Sequence, residues 1–213
     1  KLDARVHEIP NNFLESLWNQ FEALDITDKG LLVESEEQSV VEMPKLPEFC
    51  VTDRKSPIFA TKSLENGVTF EFIYKAGKRK RKIFDNLDSS QKGVLIEQIS
   101  DYRINIYMND GINTSCWSSD KDVLKPDERN HIAIIIDGGP NIISYIINGM
   151  YNDGKEDRTF GFGRFSRYFK DLNGKKKAYV NKDVKKLRIY DRALLTSEVI
   201  SNRRGYMIKG ILR

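Results

Sequence analysis

The sequence predicts an all-β protein, a two-sheet antiparallel β-sandwich of the jelly-roll type, with a short helical arm at its start and a short helix near its end. Turn signals rich in Gly, Asn and Asp recur about every 8 to 12 residues, as they do in sandwich domains. The apolar segments between them are short and strand-like, and no long amphipathic helix interrupts them. A chain of 213 residues, 39% of them hydrophobic, is also long enough to build one large core.

The first 25 residues are predicted to form an N-terminal arm, and residues 26–213 to form one β domain. Within the arm, residues 12–23 place apolar side chains at helical spacing, and Asn11 or Asn12 is available as the N-cap. This arm is either a linker that orders against the sandwich or an interface helix.

Residues 67–75, GVTFEFIYK, form the clearest predicted strand. Every second residue from Val68 to Tyr74 is apolar, which is the two-residue repeat of a strand with one face in the core. The basic stretch at 77–82 is predicted to turn into a partner strand, KIFDNL. Further short strands are predicted in GVLIEQI, YRINIYMNDG and TSCWSS.

The most apolar part of the chain, residues 129–154, is predicted to be three strands and not a membrane span. It is divided by DGGP at 137–140 and by NG at 148–149. A proline inside a helix costs about 3 kcal/mol, whereas Asn-Gly suits the type I′ turn of a hairpin. Both longer blocks are apolar at nearly every position, so we expect these strands to be covered on both faces.

A last strand is predicted in KKLRIYD, at 185–191, and a short helix follows it. Thr196 is in position to cap this helix. Glu198 would then lie in the first turn, where the helix dipole favours a carboxylate.

Charge and composition exclude several classes of protein. The 35 basic and 31 acidic residues leave a net charge of +4, which provides no global attraction for nucleic acid or for an anionic membrane. No apolar stretch reaches the length of a transmembrane helix, about 18 residues. Cys50 and Cys116 lack the spacing of a zinc site, and they could either form one disulfide in an exported protein or remain two thiols.

The chain resembles the concanavalin A-like lectin/glucanase superfamily in four successive segments, GVTFEFIYK, RNHIAIIIDG, IISYIINGMYNDG and VKKLRIYDRALLTSEVISNRR. In particular, it looks like the laminin-G-like jelly rolls attached to secreted bacterial proteins. The closing segment matches best, and residues 30–44 fit the first strand pair of the same fold. The resemblance covers residues 25–204. One departure is Arg129-Asn130, which stands where an aromatic residue usually precedes the histidine.

The resemblance implies a non-catalytic, lectin-like carbohydrate-binding module associated with extracellular processing of polysaccharides or glycans. It implies an exported protein, outside the cell, in the periplasm or on the cell surface. The partners would be a glycan or polysaccharide and, in a larger protein, other domains of an enzyme or a surface protein. A protein–protein adhesion or scaffold module is the alternative, followed by a glycoside hydrolase with an unrecognised site, because the family motifs specify fold far better than ligand.

No residue pattern for catalysis is found. Glycoside hydrolases of the superfamily carry acids at alternate positions of one strand, which places the carboxylates on one face. Glu34 and Glu36 come nearest to this pattern, but they lie in a predicted edge or loop and are interpreted as solvated surface. His131 is interpreted as a structural histidine, since no Ser or Cys nucleophile motif accompanies it.

Two segments combine aromatic side chains with groups that can hydrogen-bond to sugar hydroxyls. They are YMNDGINTSCW and RTFGFGRFSRYFKD. The second could instead fold over the sandwich with its aromatic residues buried as a small satellite core. For Trp117, a core position and a ligand contact are equally compatible with the sequence. The candidate ligand-binding residues are Tyr107, Asn109, Asp110, Trp117, Arg164 and Tyr168.

The resemblance also implies a possible calcium ion, which laminin-G-like domains often hold through loop oxygens. Asp110, Asp137 and Asn148 lie in suitable predicted turns, although the fixed spacing of a calcium loop is absent. No other cofactor is expected.

Two basic stretches, KAGKRKRK and NGKKKAY, lie in predicted turns. Each is interpreted as a solvated loop, because charge runs between strands usually face water. Binding of a sulfated or uronic polysaccharide is the alternative.

Overall fold

The computed structural model describes residues 39–43, 45–46, 67–154 and 161–212. Within these ranges it contains two antiparallel sheets and one helix near the C-terminus, which confirms the predicted jelly-roll sandwich. The predicted arm, residues 1–25, and Cys50 lie outside the described residues.

The first sheet has six strands. Listed from edge to edge they are β1 (Ser39–Glu42), β11 (Lys177–Val180), β3 (Arg81–Asp85), β4 (Gly93–Ile99), β5 (Arg103–Asn109) and β6 (Thr114–Ser118). All neighbouring pairs are antiparallel, and the pairing of β3 with β4 contains one register shift between Lys82 and Phe84.

The second sheet has five strands on its main path, with a short sixth strand on its edge. Listed from edge to edge they are β10 (Phe162–Arg164), β8 (Ile142–Ile147), β7 (Arg129–Asp137), β2 (Gly67–Lys75) and β12 (Val184–Tyr190), and β9 (Met150–Tyr151) pairs with β8. β2 and β7 pair over their full lengths, from Gly67 with Asp137 to Lys75 with Arg129.

The core lies between the two sheets and follows the alternation seen in the sequence. Val68, Phe70, Phe72 and Tyr74 of β2 point into it and are buried. Phe70 meets Phe84 of the first sheet with a ring-centroid distance of 5.3 Å, within the range favoured by aromatic pairs. The predicted inward face of β2 is therefore correct.

The outer face of the second sheet is covered by α1 (Thr196–Ile208) and the segment that leads into it. A second apolar cluster lies there, formed by Ala133, Ile135, Ile146, Tyr190, Ala193, Leu194 and Val199. β7 and β8 are consequently buried on both sides. This explains why their sequences are apolar at nearly every position, and it confirms the predicted burial on both faces.

The hairpin between β8 and β9 has the predicted Asn-Gly turn. Asn148 has φ of 54° and Gly149 has φ of 81°. Both values lie in the left-handed region that a type I′ turn requires at its two central positions, so NG ends the apolar run as expected.

The start of α1 differs by one residue from the sequence-based expectation. Leu195, not Thr196, is the N-cap residue. The Glu198 carboxylate accepts the Leu195 N–H at 2.8 Å and also pairs with Arg192 at 2.7 Å. The acidic side chain three positions into the helix thus satisfies the backbone N–H of the N-cap residue, as the N3 carboxylate does in a capping box.

A buried polar network joins α1 to the second sheet. Glu71 of β2 accepts hydrogen bonds from Tyr190 (2.8 Å), Asn202 (3.2 Å) and Tyr206 (3.3 Å), and its other oxygen lies 2.8 Å from His131 Nε2. Burial by itself would raise the pKa of Glu71, but the His131 contact, the Tyr190 hydroxyl and the charge of Arg188 outweigh it, and the pKa lies below its usual value of 4.5. The carboxylate is therefore charged in the folded protein.

This lowered pKa predicts that acid weakens the fold. A group with a depressed pKa stabilises the folded state above its ordinary pKa, and that contribution is lost as the pH falls. We expect the unfolding free energy of the wild type to drop as the pH is lowered through about 4.5. Urea titrations between about pH 6 and pH 3 should give a shallower pH dependence for Glu71→Gln, and equal slopes in the two proteins would contradict the prediction.

None of the described helices is long and apolar enough to cross a membrane.

Candidate functional site

Three turns meet at the end of the sandwich where β3 and β5 finish and β4 and β6 begin. They are residues 86–92, residues 110–113 and residues 165–176, and together they are termed the loop cluster. The turn between β7 and β8 joins this end too, because the Phe165 N–H donates to the Asn141 carbonyl at 3.1 Å.

Asp110 holds two of these turns together. Its Oδ1 accepts the N–H groups of Ile112 (2.9 Å) and Asn113 (2.6 Å), and its Oδ2 accepts the Lys170 N–H (2.7 Å) and the Asn113 side-chain amide (3.1 Å). Burial alone would raise the pKa of Asp110, but these donors hold the pKa below its ordinary value. The carboxylate is thus a structural anchor whose hydrogen-bonding capacity is largely used within the protein.

Two further contacts connect the third turn. Lys92 Nζ lies 3.2 Å from the Asp171 carboxylate, and the Lys175 N–H donates to the Asn86 carbonyl at 2.7 Å. Gly174 packs against the same backbone: a Cβ at this position would lie 2.6 Å from the Lys92 carbonyl oxygen, and closer still to that of Asn86. The loop cluster is therefore a closely fitted unit.

Tyr168 presents an aromatic ring at the surface of this unit. Its side chain is 56% exposed, and the Arg167 guanidinium lies 4.6 Å from the ring centroid and donates to the Tyr168 hydroxyl. Ile112, which is 75% exposed, lies on the neighbouring turn, and the Asn113 amide reaches the Tyr168 carbonyl at 3.4 Å. An exposed ring with a cation stacked on it is thus held beside an apolar side chain and an amide.

Tyr107 and Asn109 lie beside the loop cluster, on the outer face of the first sheet. The Asn109 amide donates to the Tyr107 hydroxyl at 3.2 Å, and Asn109 Oδ1 accepts the Gly111 N–H at 2.7 Å. A row of cross-strand partners continues from Tyr107 along this face, formed by Tyr179, Asp85, Leu95, Tyr107 and Cys116. Polar and aromatic groups thus extend from the loop cluster across the sheet.

The aromatic residues of the loop that follows β10 divide between core and surface. Phe165 and Phe169 are buried and meet edge to face, 5.7 Å apart. They belong to the main core between the sheets, and not to the separate satellite core considered from the sequence. Tyr168 remains exposed between them. Arg164 is exposed and lies 6.0 Å from the Phe162 ring. Residues 155–160 of the same segment lie outside the described residues.

Trp117 packs against the core. It is half-buried beside the main apolar cluster, and a Cβ at Gly163 would lie 2.5 Å from its ring. Its carbonyl accepts the Tyr145 hydroxyl at 2.5 Å. Of the two positions that the sequence allowed for Trp117, the structure shows the one packed against the core. Trp117 is therefore not part of the candidate site.

The calcium candidates do not form one set. Asp137 and Asn148 lie at opposite ends of β8, with Asp137 accepting the Gly139 N–H at 2.9 Å and the Asn148 amide donating to Asn130 at 2.8 Å. The Asp110 carboxylate already accepts hydrogen bonds from Ile112, Asn113 and Lys170. No group of three or more His, Cys, Asp or Glu side chains that could hold a metal occurs in the described ranges, and calcium binding stays a prediction.

The Glu71–His131 pair resembles an acid–base pair in its geometry alone. Both side chains are completely inaccessible to solvent, and α1 covers them through Tyr206, whose ring centroid lies 5.7 Å from that of His131. A general acid or base must reach the group to which it transfers a proton. The pair therefore has a structural role: Glu71, on β2, accepts hydrogen bonds from Asn202 and Tyr206 of α1 and so connects the sheet to the helix.

Three residues of the site are missing from the sequence-based candidates: Ile112, Asn113 and Arg167. The DGIN turn offers one signal, since a single isoleucine between turn residues has no strand to bury it. The Arg-Tyr neighbours at 167–168 offer another, because a planar guanidinium can stack on the ring that follows it. The contact between the two turns has no local sequence signal.

No protein-family model matches the chain, and no curated protein sequence matches it. The laminin-G-like assignment therefore stays a resemblance.

Similar solved structures share the sandwich fold. A mutant of NanB sialidase from Streptococcus pneumoniae matches with a TM-score of 0.54 and 12% identity, over 80% of this chain and 27% of that one. The CBM40 module of Ruminococcus gnavus IT-sialidase matches with 0.50 and 12%, over 81% and 98%. The binding domain of botulinum neurotoxin DC in complex with SialylT matches with 0.51 and 11%, over 83% and 46%. At such identities the likeness shows the fold alone.

Proposed function

We propose that this protein is a non-catalytic, lectin-like module that binds carbohydrate at the loop cluster. The exposed Tyr168 ring, held by Arg167, is the observation that supports the proposal most directly. Sugar rings present C–H faces that pack on aromatic rings, and their hydroxyls need hydrogen-bonding groups at the edge of that contact.

The surroundings of Tyr168 supply those groups. Arg167 offers guanidinium donors, and the Tyr107 hydroxyl and the side-chain oxygen of Asn113, whose NH2 group bonds within the protein, lie on the adjoining sheet face and turn. Asp110 fixes the two turns relative to each other, so little order has to be gained on binding, which favours affinity.

The similar solved structures give general support to a carbohydrate-binding function. The similar structures include a carbohydrate-binding module of a sialidase and a toxin domain in complex with SialylT. A module of this type would act at an extracellular, periplasmic or surface location, alone or joined to other domains of an enzyme or a surface protein.

Tyr168→Ala should weaken binding to any glycan that the wild type recognises by at least about fivefold, the factor that corresponds to about 1 kcal/mol, the lower end of the usual contribution from stacking on an aromatic side chain. A glycan array that includes neutral, sialylated and uronic glycans would identify the ligand, and calorimetry would measure the change in affinity. Circular dichroism would confirm that the variant is folded.

Tyr151→Ala is the matched control. Tyr151 is 44% exposed, but it lies on β9, beside the end of β8 that is farther from the loop cluster. Its replacement should leave glycan affinity within about twofold. Equal losses in the two variants, or the absence of any specific glycan on the array, would overturn the proposal.

A protein-binding function is the second candidate, and the exposure of Ile112 favours it. An isoleucine that is 75% exposed at the tip of an ordered turn is a suitable anchor for an apolar pocket of a partner. The toxin domain with the same fold has also been solved in complex with rat synaptotagmin II. For this function, Ile112→Ser should abolish binding of a protein partner, whereas Tyr151→Ala should leave that binding intact.

A further inference from the structure

A strongly basic surface lies at the end of the sandwich opposite the loop cluster. Three segments, residues 75–81, 125–129 and 181–183, meet there through backbone hydrogen bonds. The Lys75 N–H donates to the Asp183 carbonyl (2.9 Å), the Ala76 N–H to the Glu128 carbonyl (3.3 Å) and the Asp127 N–H to the Ala76 carbonyl (2.9 Å). These three segments are termed the basic end.

The basic end carries more positive charge than the whole chain. Its segments contain eight Lys or Arg residues and three acids, a net charge of +5, whereas the complete sequence has +4. The remainder of the protein is therefore close to neutral, and the excess charge is concentrated at one end. The numbers of basic and acidic residues in the whole chain, 35 and 31, do not show this uneven distribution of charge.

Two of the three acids are already neutralised within the segments. Asp183 pairs with Arg81, and Glu128 lies 3.5 Å from Lys125 Nζ. Arg129 donates to the Ile211 carbonyl at 3.0 Å. The remaining cations are exposed and form no ion pair with any residue in the described ranges; they are Lys75, Lys78, Arg79, Lys80 and Lys182.

We propose that the basic end is a second binding surface, which takes an anionic polysaccharide bearing sulfate or uronic carboxylate groups. Lysine and arginine form strong charge-assisted hydrogen bonds to such groups. Five exposed cations from three segments can contact several anionic groups of one linear polymer. A solvated loop would carry its charges alone, but the turn at 77–80 lies beside an exposed cation, Lys182, that is distant in the sequence. This clustering favours the polysaccharide alternative.

The composition of the basic end distinguishes this partner from other polyanions. The three segments contain no aromatic residue, and proteins that hold single-stranded nucleic acid stack its bases on aromatic side chains. They also contain no large apolar side chain of the kind that inserts into a membrane surface. A surface that has only charge and hydrogen-bond donors fits a ligand that offers only charge and acceptors.

The test is a comparison of two triple variants with the same loss of charge. K78S/R79S/K80S removes three cations from the basic end, and K45S/K177S/R204S removes three exposed cations that belong to neither the basic end nor the loop cluster. Affinities for heparin oligosaccharides, for polygalacturonate and for neutral dextran would be measured over a range of NaCl concentrations. Heparin and polygalacturonate separate recognition of sulfate from recognition of carboxylate.

We expect the wild type to bind heparin, polygalacturonate or both, but not dextran. The first triple variant should lose at least about tenfold in affinity, and its dependence on log salt should flatten by about 2, since each released counterion contributes about 0.7–0.9 to the slope. The second variant should lose less than about threefold. Tyr168→Ala should bind the charged polymers like the wild type, which keeps this test separate from that of the loop cluster.

Three results would overturn the proposal. The first is failure of both charged polymers to bind at low salt, and the second is an equal loss of affinity in the two triple variants. The third is tighter binding of duplex DNA or of phosphatidylserine vesicles than of either polysaccharide, which would assign the basic end to a different class of partner.

Discussion

Glu71→Ala is expected to destabilise the protein by about 3–5 kcal/mol, the usual cost of breaking a buried charged network. The substitution removes the acceptor of Tyr190, Asn202 and Tyr206 and the partner of His131. These groups would remain buried without their acceptor, and each unsatisfied group adds to the cost. Urea denaturation at neutral pH measures the change, and α1 should become less protected against hydrogen exchange than the strands of the first sheet.

Glu97→Ala provides the control for this prediction. Glu97 is also in the interior of a strand, but it is half-buried on the outer face of the first sheet, where it accepts a long hydrogen bond of 3.5 Å from the Asn105 amide. We expect its replacement to cost less than about 1 kcal/mol. A comparable loss in both variants would mean that the network beneath α1 has no special role in stability.

Gly174→Ala is expected to destabilise the protein by about 2–3 kcal/mol, because a methyl group has no space at this position. The atoms in its way are the backbone carbonyl oxygens of Asn86 and Lys92, which cannot rotate away as a flexible side chain could. The loop cluster would have to open to admit the methyl group. We therefore expect glycan affinity to fall together with thermal stability, as measured by calorimetry and by melting curves.

Gly205→Ala should have the opposite effect. A Cβ on Gly205 meets no atom within 4 Å, and the residue lies inside α1, where alanine is favoured over glycine by about 0.5–1 kcal/mol. The same substitution is thus expected to stabilise one site and to destabilise the other. Stabilisation by Gly174→Ala would show that the three turns are not closely fitted.

The fold was predictable because it depends mainly on patterns that are local. Alternation in residues 67–75 and the NG turn at 148–149 determine which residues face inward and where a strand ends, and both are confirmed. The pairing of β2 with β12 and of β1 with β11 had no such signal, because each pair joins strands more than 100 positions apart in the sequence. The start of α1 was misplaced by one residue because Glu198 supplies the cap from inside the helix.

The site was predictable only as a set of residue types. Tyr107, Asn109 and Tyr168 were predicted because aromatic and amide side chains suit sugars, and the structure places them in or beside the loop cluster; their role in binding stays a prediction. The sequence could not distinguish Tyr168, which is exposed, from Phe169, which is 1% exposed, since the direction of each ring depends on packing between distant turns. It likewise could not show that Asp110 uses its carboxylate to bind neighbouring backbone groups.

The double burial of β7 and β8 has a consequence for the order in which the chain acquires its structure. Tyr206 of α1 donates to Glu71 across 135 positions, so the outer face of the second sheet is covered only after residue 206 has been synthesised. Contacts of such sequence separation form slowly. Until α1 docks, Ile135 and Ile146 are open to water on strands rich in β-branched residues, which is a surface prone to aggregation. We therefore expect the nascent chain to be more prone to aggregation before α1 has docked than after it.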